Sequence, residues 1–87
     1  MVLAYILVTT TGLAPAKVAK DITKIDDVDS VHLIYGEYDI IVRVKTKTLV
    51  SLREVALEKI KNIKGVEKTT TLIAADATKE GDNPPFE

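Results

Sequence analysis

Cysteine and tryptophan are absent from this 87-residue chain, and His32 is its only histidine. The lack of cysteine excludes disulfide bonds and thiolate metal sites. The aromatic residues are three tyrosines and one phenylalanine, too few to suggest a surface that stacks nucleic-acid bases. No segment has the roughly 18–20 consecutive apolar residues that cross a bilayer, and the N-terminal pattern is not that of a secretory leader. These absences favour a cytoplasmic protein that binds no metal and does not contact a membrane.

The chain also has no large excess of positive or negative charge. Twelve basic and 13 acidic side chains leave a net charge of −1, so a general phosphate-binding surface is not expected. The apolar content of 46% is that of a folded protein, and 87 residues provide for one core only. No nucleophile stands beside a plausible base, and no carboxylates have the spacing of a metal site. We therefore expect a binding protein without a cofactor rather than an enzyme.

The spacing of apolar residues predicts a first β-α unit. The run Val2–Val8 is apolar on both faces, as expected of a central strand. Pro15 suits the first turn of a helix, in which Val18, Ile22 and Ile25 recur at the four- and three-residue steps of a buried stripe.

The second half repeats this order. A helix capped by Thr46 or Thr48 and stopped by Gly65 precedes a last strand over Val66–Ala74. The stripe of this helix comprises Leu49, Leu52, Ala56, Ile60 and Ile63. With right-handed crossovers, β-α-β-β-α-β order gives an α+β, ferredoxin-like sandwich: a four-stranded antiparallel sheet with two helices on one face. The folded domain is predicted to span residues 1–75, and residues 76–87 are predicted to form a polar mobile tail.

A hairpin at the centre of the chain is the candidate ligand site. The turn Gly36–Asp39 joins an apolar strand over Val31–Tyr35 to one over Tyr38–Val44, in which Tyr38 is expected on the same face as Ile40. Glycine supplies a positive φ, and the carboxylate of Asp39 can accept hydrogen bonds from nearby backbone donors. Exposed amides beside a fixed carboxylate could hold a small zwitterion. An ordinary hairpin turn with an Asx-type cap is the alternative.

The sheet face opposite the helices is a candidate interface. If Ala4, Ile6 and Val8 face the helices, the intervening residues of the first strand point outward. Burial of such an apolar face favours association, so we expect a homodimer. The expected interface residues are Leu3, Tyr5, Leu7, Ile41 and Arg43. For Arg43, an ion pair within or between subunits is the simpler interpretation.

One family resemblance covers nearly all of the folded part. The segment Val31–Asp39 resembles the hairpin signature of the Lrp/AsnC family of feast/famine regulators. The resemblance extends, in the same order, to Ala4–Val8, Ile63–Val66 and Thr69–Ile73. It implies a RAM domain, the part of these regulators that binds effectors and oligomerises. In that family the sheets dimerise, dimers assemble into larger rings, and amino acids bind between dimers.

Carried over residue by residue, the resemblance implies a set of ligand-binding positions. They are Tyr35, Gly36, Tyr38, Asp39, Thr69 and Thr71. Packing is the alternative role for the two tyrosines, and ordinary β-propensity accounts equally well for the two threonines.

The chain departs from the family in one respect. The family's regulators usually carry an N-terminal helix-turn-helix, whereas this chain begins with the first strand. The resemblance therefore implies a stand-alone RAM protein that modulates transcription through assembly, for example with a full-length Lrp/AsnC regulator, and not by direct contact with DNA. Two other functions stay open: a structural oligomerisation module without a ligand, and a small enzyme of amino-acid metabolism.

Overall fold

The predicted order of elements is present in the structure, a computed structural model that describes residues 1–12 and 14–75. The predicted polar tail, residues 76–87, lies outside the described residues. The elements are β1 (Val2–Thr10), α1 (Pro15–Ile22), β2 (Val28–Leu33), β3 (Ile40–Thr46), α2 (Leu49–Arg53, continued as a π-helix over Glu54–Ile60) and β4 (Val66–Ile73). Among the described residues, no helix is long and apolar enough to cross a membrane.

The four strands form one antiparallel sheet in the order β2-β3-β1-β4. The central strand β1 pairs with β3 on one side, where Ile6 opposes Val42, and with β4 on the other, where Ile6 opposes Thr71. Directly opposed residues of an antiparallel pair share a face. The ferredoxin-like prediction, with both helices on one face of the sheet, is confirmed.

The core lies between the sheet and the helices. Alternate residues of β1 and β3 are fully buried, and the residues between them are half-buried or exposed, as the period of two requires. The buried apolar residues are Ala4, Ile6, Val8, Val18, Ile22, Ile40, Val42, Val44, Leu52, Val55, Ala56 and Ile60. The expected orientation of β1, with its odd-numbered residues on the open face, is therefore confirmed.

The first helix begins as its sequence predicts and carries a surface ion pair. Pro15 occupies its first turn, and Val18 and Ile22 are buried. On the outer surface, Lys17 Nζ lies 2.9 Å from Asp21 Oδ2 at i,i+4 spacing. The hydrogen bond from Lys17 holds the pKa of Asp21 below its ordinary value. The charge of Asp21 is therefore paired on the outer surface of α1.

The second helix differs from the prediction at the start of its buried stripe. Thr48 caps it, because its side chain accepts a hydrogen bond from Ser51 N at 3.1 Å. Leu49 was expected in the core but is 56% exposed, and Val55 is buried instead. Leu49 is the first residue of α2 and lines an open groove beside β4, so its side chain does not reach the core.

Candidate functional site

The hairpin between β2 and β3 has a longer connection than the predicted four-residue turn. Leu33 is the last residue of β2 and pairs with Ile40, so residues 34–39 form the loop. At its base Ile34 N donates to Asp39 O at 3.0 Å. Asp39 N donates to Val8 O of β1 at 2.9 Å instead of back across the hairpin. The loop is therefore anchored to the central strand as well as to its own partner strand.

The tip of this loop projects into solvent. Tyr35 is fully exposed, Gly36 and Glu37 are exposed, and Gly36 has a φ of 140°. Tyr38 and Asp39, at the base, are half-buried. The predicted hairpin residues are thus contiguous, with an exposed aromatic ring and exposed backbone at the tip and a carboxylate at the base.

The carboxylate of Asp39 is fixed by β1. Its Oδ2 atom accepts hydrogen bonds from Thr10 N at 2.9 Å and from Thr10 Oγ1 at 3.2 Å. Thr10 lies at an irregularity of the β1–β4 pairing, which separates it from the regular ladder. Asp39 therefore has the structural role of a turn cap, with a partner on another strand. Both hydrogen bonds fall on one of its two oxygens.

The structure does not bring all of the predicted ligand-binding residues together. Tyr38 lies outside β3, and its hydroxyl is 3.5 Å from Thr70 Oγ1. Thr70 opposes Leu7 and so belongs to the open face. The expectation that Tyr38 shares the face of Ile40, which is buried under the helices, is therefore wrong. The regular pairing of β3 with β1 ends at Ile40, where the hydrogen bond from Asp39 N to Val8 O departs from the ladder. Tyr38 therefore does not follow the alternation of β3.

The two predicted threonines lie on the opposite side of the sheet. Thr69 opposes Val8 and Thr71 opposes Ile6, and both of those partners are buried under the helices. Thr69 and Thr71 therefore share the helix face, as their spacing predicts, but the structure does not bring them to Tyr38. Sequence reasoning missed Thr10 and Thr70, whose side chains contact Asp39 and Tyr38 of the hairpin.

A substitution at Gly36 tests how far the loop depends on its backbone. No atom lies within 4 Å of the position where a Cβ would stand, so Gly36→Ala causes no clash. The φ of 140° is one that side-chain-bearing residues rarely adopt, and forcing it costs about 1–3 kcal/mol. We expect the free energy of unfolding to fall by up to that amount in a urea titration. Glu37→Ala, at the neighbouring exposed position, is the control, and equal losses for both would contradict a special role for the glycine.

The open sheet face carries the predicted interface residues. The register places an apolar cluster on it, here called the open-face cluster: Leu3, Tyr5, Leu7, Ile41 and Leu72. The first four are half-buried within the chain, and Leu72 is 51% exposed. Leu72, on the edge strand, was not predicted, because the sequence gives no register for β4 against β1.

A charged pair lies beside this cluster. Arg43 opposes Tyr5, and its Nε atom is 3.4 Å from Asp29 Oδ2 on β2. That Nε atom is buried and has no hydrogen-bond partner among residues 1–12 and 14–75, so the contact is an ion pair without hydrogen-bond geometry. Of the two ion pairs considered for Arg43, within or between subunits, the structure contains the one within the subunit, and its place in an interface stays a prediction.

The hairpin carries polar groups that can contact a ligand. In the part of the chain that the structure describes, no group of three or more histidine, aspartate or glutamate side chains is placed to hold a metal ion. The hairpin offers a fixed carboxylate, a phenol and exposed amides, which suit a small polar ligand.

Comparison with known proteins identifies the type of domain. A family model described as the Lrp/AsnC ligand binding domain matches residues 3–84. An uncharacterised HTH-type transcriptional regulator from Pyrococcus abyssi is 34% identical over 80 residues, which covers 88% of this chain and 53% of that protein. The chain spans about half the length of the curated regulators that it matches.

Solved structures agree on the fold. A protein from Thermus thermophilus superposes with a TM-score of 0.86 at 29% identity, over 92% of this chain and 100% of that one. A transcriptional regulator from Neisseria meningitidis, solved as a complex with L-Met, superposes with a TM-score of 0.83 over 98% of this chain and 56% of that one. At 17% identity the second comparison establishes the fold alone.

Proposed function

Because this chain belongs to the family of Lrp/AsnC ligand-binding domains, we propose that it senses a small molecule, an amino acid, and transmits binding through its state of assembly. The relatives are named as transcriptional regulators, so its role lies in transcription regulation and not in catalysis. The complex of the N. meningitidis regulator with L-Met is consistent with an amino acid as the effector.

The anchoring of Asp39 carries this proposal. An ionised carboxylate has two oxygens and about four acceptor sites, and Thr10 occupies two of these on Oδ2 alone. Oδ1 keeps its capacity to accept hydrogen bonds from the ammonium group of an amino acid. Held in place from β1, this carboxylate loses little conformational entropy when a ligand binds. The exposed amides around Gly36 are suited to the ligand carboxylate, and Tyr35 and Tyr38 to its flanks.

Ligand binding would be transmitted through a change in oligomeric state. The open-face cluster favours pairing of two copies through their sheets, and the exposed hairpin tips are then free to meet neighbouring dimers in a larger ring. A ligand held between dimers shifts assembly only by its differential affinity for one oligomer over another. Co-assembly with a full-length Lrp/AsnC regulator would connect this change to DNA. Thr69 and Thr71, on the helix face, would contact the same ligand only if a neighbouring dimer brought them to it.

Asp39→Asn separates the charge of Asp39 from its role as a turn cap. The amide oxygen of asparagine still accepts the hydrogen bond from Thr10 N, so we expect the fold to be retained. The ammonium group loses its charged partner, and a charge-assisted hydrogen bond of about 1.5–3 kcal/mol corresponds to roughly tenfold to hundredfold weaker binding. The measurement is a thermal-shift screen of the twenty amino acids, followed by calorimetric titration, since a ligand of the folded state raises its stability.

Asp26→Asn is the matched control for this experiment. Asp26 is an exposed carboxylate in the turn before β2, remote from the hairpin in the chain, and its substitution should leave ligand affinity unchanged. Equal affinities for the wild type and Asp39→Asn would contradict the proposed contact. If no amino acid changes either the melting temperature or the oligomer mass by light scattering, the chain is a structural assembly module.

A further inference from the structure

A second concave surface lies on the helix side of the sheet, between β4 and the second helix. This groove has a volume of about 330 Å³, at the lower end of the range for small-molecule pockets. Buried Leu52 and Ala56 form its base. Leu49, Leu57 and Ile73 surround it and remain 56%, 51% and 52% exposed. Three large apolar side chains around one concavity leave an area whose removal from water is favourable.

The polar side chains of the groove are Arg53 and Thr71. Arg53 forms no ion pair with any residue in the ranges 1–12 and 14–75. Its guanidinium presents a planar fork of donors that matches a carboxylate, and the hydroxyl of Thr71 can donate one more hydrogen bond. Arg53 also directly precedes the π-helix, and such segments occur frequently at functional sites.

The groove selects against the ligand proposed for the hairpin. Its lining contains no acidic side chain, so the ammonium group of an amino acid would find no charged partner there and would lose hydration among leucines. A molecule with an apolar chain and a single anionic head meets both features of the groove. Charge complementarity with Arg53 therefore favours a carboxylate without an amino group.

We propose that this groove is a second ligand site, which binds an amphipathic monocarboxylate with its chain along Leu49, Leu57 and Ile73 and its carboxylate on Arg53. The site would let the domain respond to a carboxylic acid independently of the hairpin. It does not rest on the amino-acid effector proposed above.

The test is a titration of the full chain with octanoate. We expect saturable binding by calorimetry, with chemical-shift changes at the methyl groups of Leu57 and Ile73 in NMR spectra. 1-Octanol and octylamine have the same chain without the negative charge and should bind at least tenfold more weakly. Arg53→Gln should weaken octanoate binding about tenfold to hundredfold. Lys20→Gln, which removes an exposed cation from α1, should leave it unchanged.

Three results would overturn the proposal. They are equal binding of octanoate and 1-octanol, equal affinity in the wild type and Arg53→Gln, and absence of shifts at Leu57 and Ile73. If Leu57→Lys instead lowers the oligomer mass while octanoate does not bind, the groove is an interface between copies of the chain. Amino-acid binding measured in Arg53→Gln should match the wild type, which keeps failure here distinct from failure at the hairpin.

Discussion

Replacing Ile6 by alanine is expected to lower the free energy of unfolding by about 2–5 kcal/mol. Ile6 is fully buried in β1, which pairs with a strand on each side, and it opposes Val42 and Thr71. The loss combines the transfer of the removed methyl groups with the cavity that the helices cannot fully close. Domains of this size have a total stability of about 4–13 kcal/mol, so one substitution would remove a large part of it.

Urea unfolding followed by circular dichroism measures this effect. Ile6→Val, which removes a single methylene group, should cost about 0.5–1.5 kcal/mol. Leu33→Ala is the exposed counterpart: Leu33 shares the helix face of the sheet but is 54% exposed, so its truncation should cost about 1 kcal/mol or less. Each variant should be compared at several protein concentrations, because association would add to the apparent stability. Similar losses for Ile6→Ala and Leu33→Ala would contradict the placement of the core.

The fold was predictable because its signals are periodic and local. Alternation in β1 identifies its two faces, and the steps from Val18 to Ile22 identify the buried side of α1. Each pattern is set by the geometry of one element and needs no knowledge of its neighbours. The order of elements then leaves few topologies open.

The details of the site depend on contacts between distant parts of the chain. Asp39 is held by Thr10, 29 residues away, and no local pattern links the two. A second contact to β1, the hydrogen bond from Asp39 N to Val8 O, lengthens the loop and turns Tyr38 out of the strand pattern. The change of α2 into a π-helix at Glu54 likewise has no signal in its apolar spacing.

The threonines of β4 illustrate how register decides a site. In the run Thr69-Thr70-Thr71, the hydrophobic pattern does not say which residue faces the helices. Pairing with β1 places Thr70 on the open face, near Tyr38, and its two neighbours on the other. A shift of one residue would have reversed the assignment, so the sequence could propose the strand but not the contacting hydroxyl.

Leu7→Glu tests the open face with the largest expected effect on assembly. Leu7 lies within the open-face cluster, between Ile41 and Thr70 on the neighbouring strands. In a monomer the new carboxylate would stay in contact with water, so the fold should be retained. In a dimer that pairs two such faces, each copy would bury a carboxylate without a partner, at a cost of about 3–5 kcal/mol. A dimer contains two such carboxylates, so the dissociation constant should rise by roughly four to seven powers of ten.

The same change on the helix side distinguishes a specific interface from a general effect of charge. Val50 is 66% exposed on α2, and Val50→Glu introduces an identical group there. Sedimentation velocity at micromolar concentration should find Leu7→Glu as a monomer, with the wild type and Val50→Glu as dimers or larger assemblies. If Val50→Glu dissociates while Leu7→Glu keeps its mass, association runs through the helices. The hairpin tips would then have to meet their neighbours in a different arrangement, because the helix side of each copy would lie in the interface.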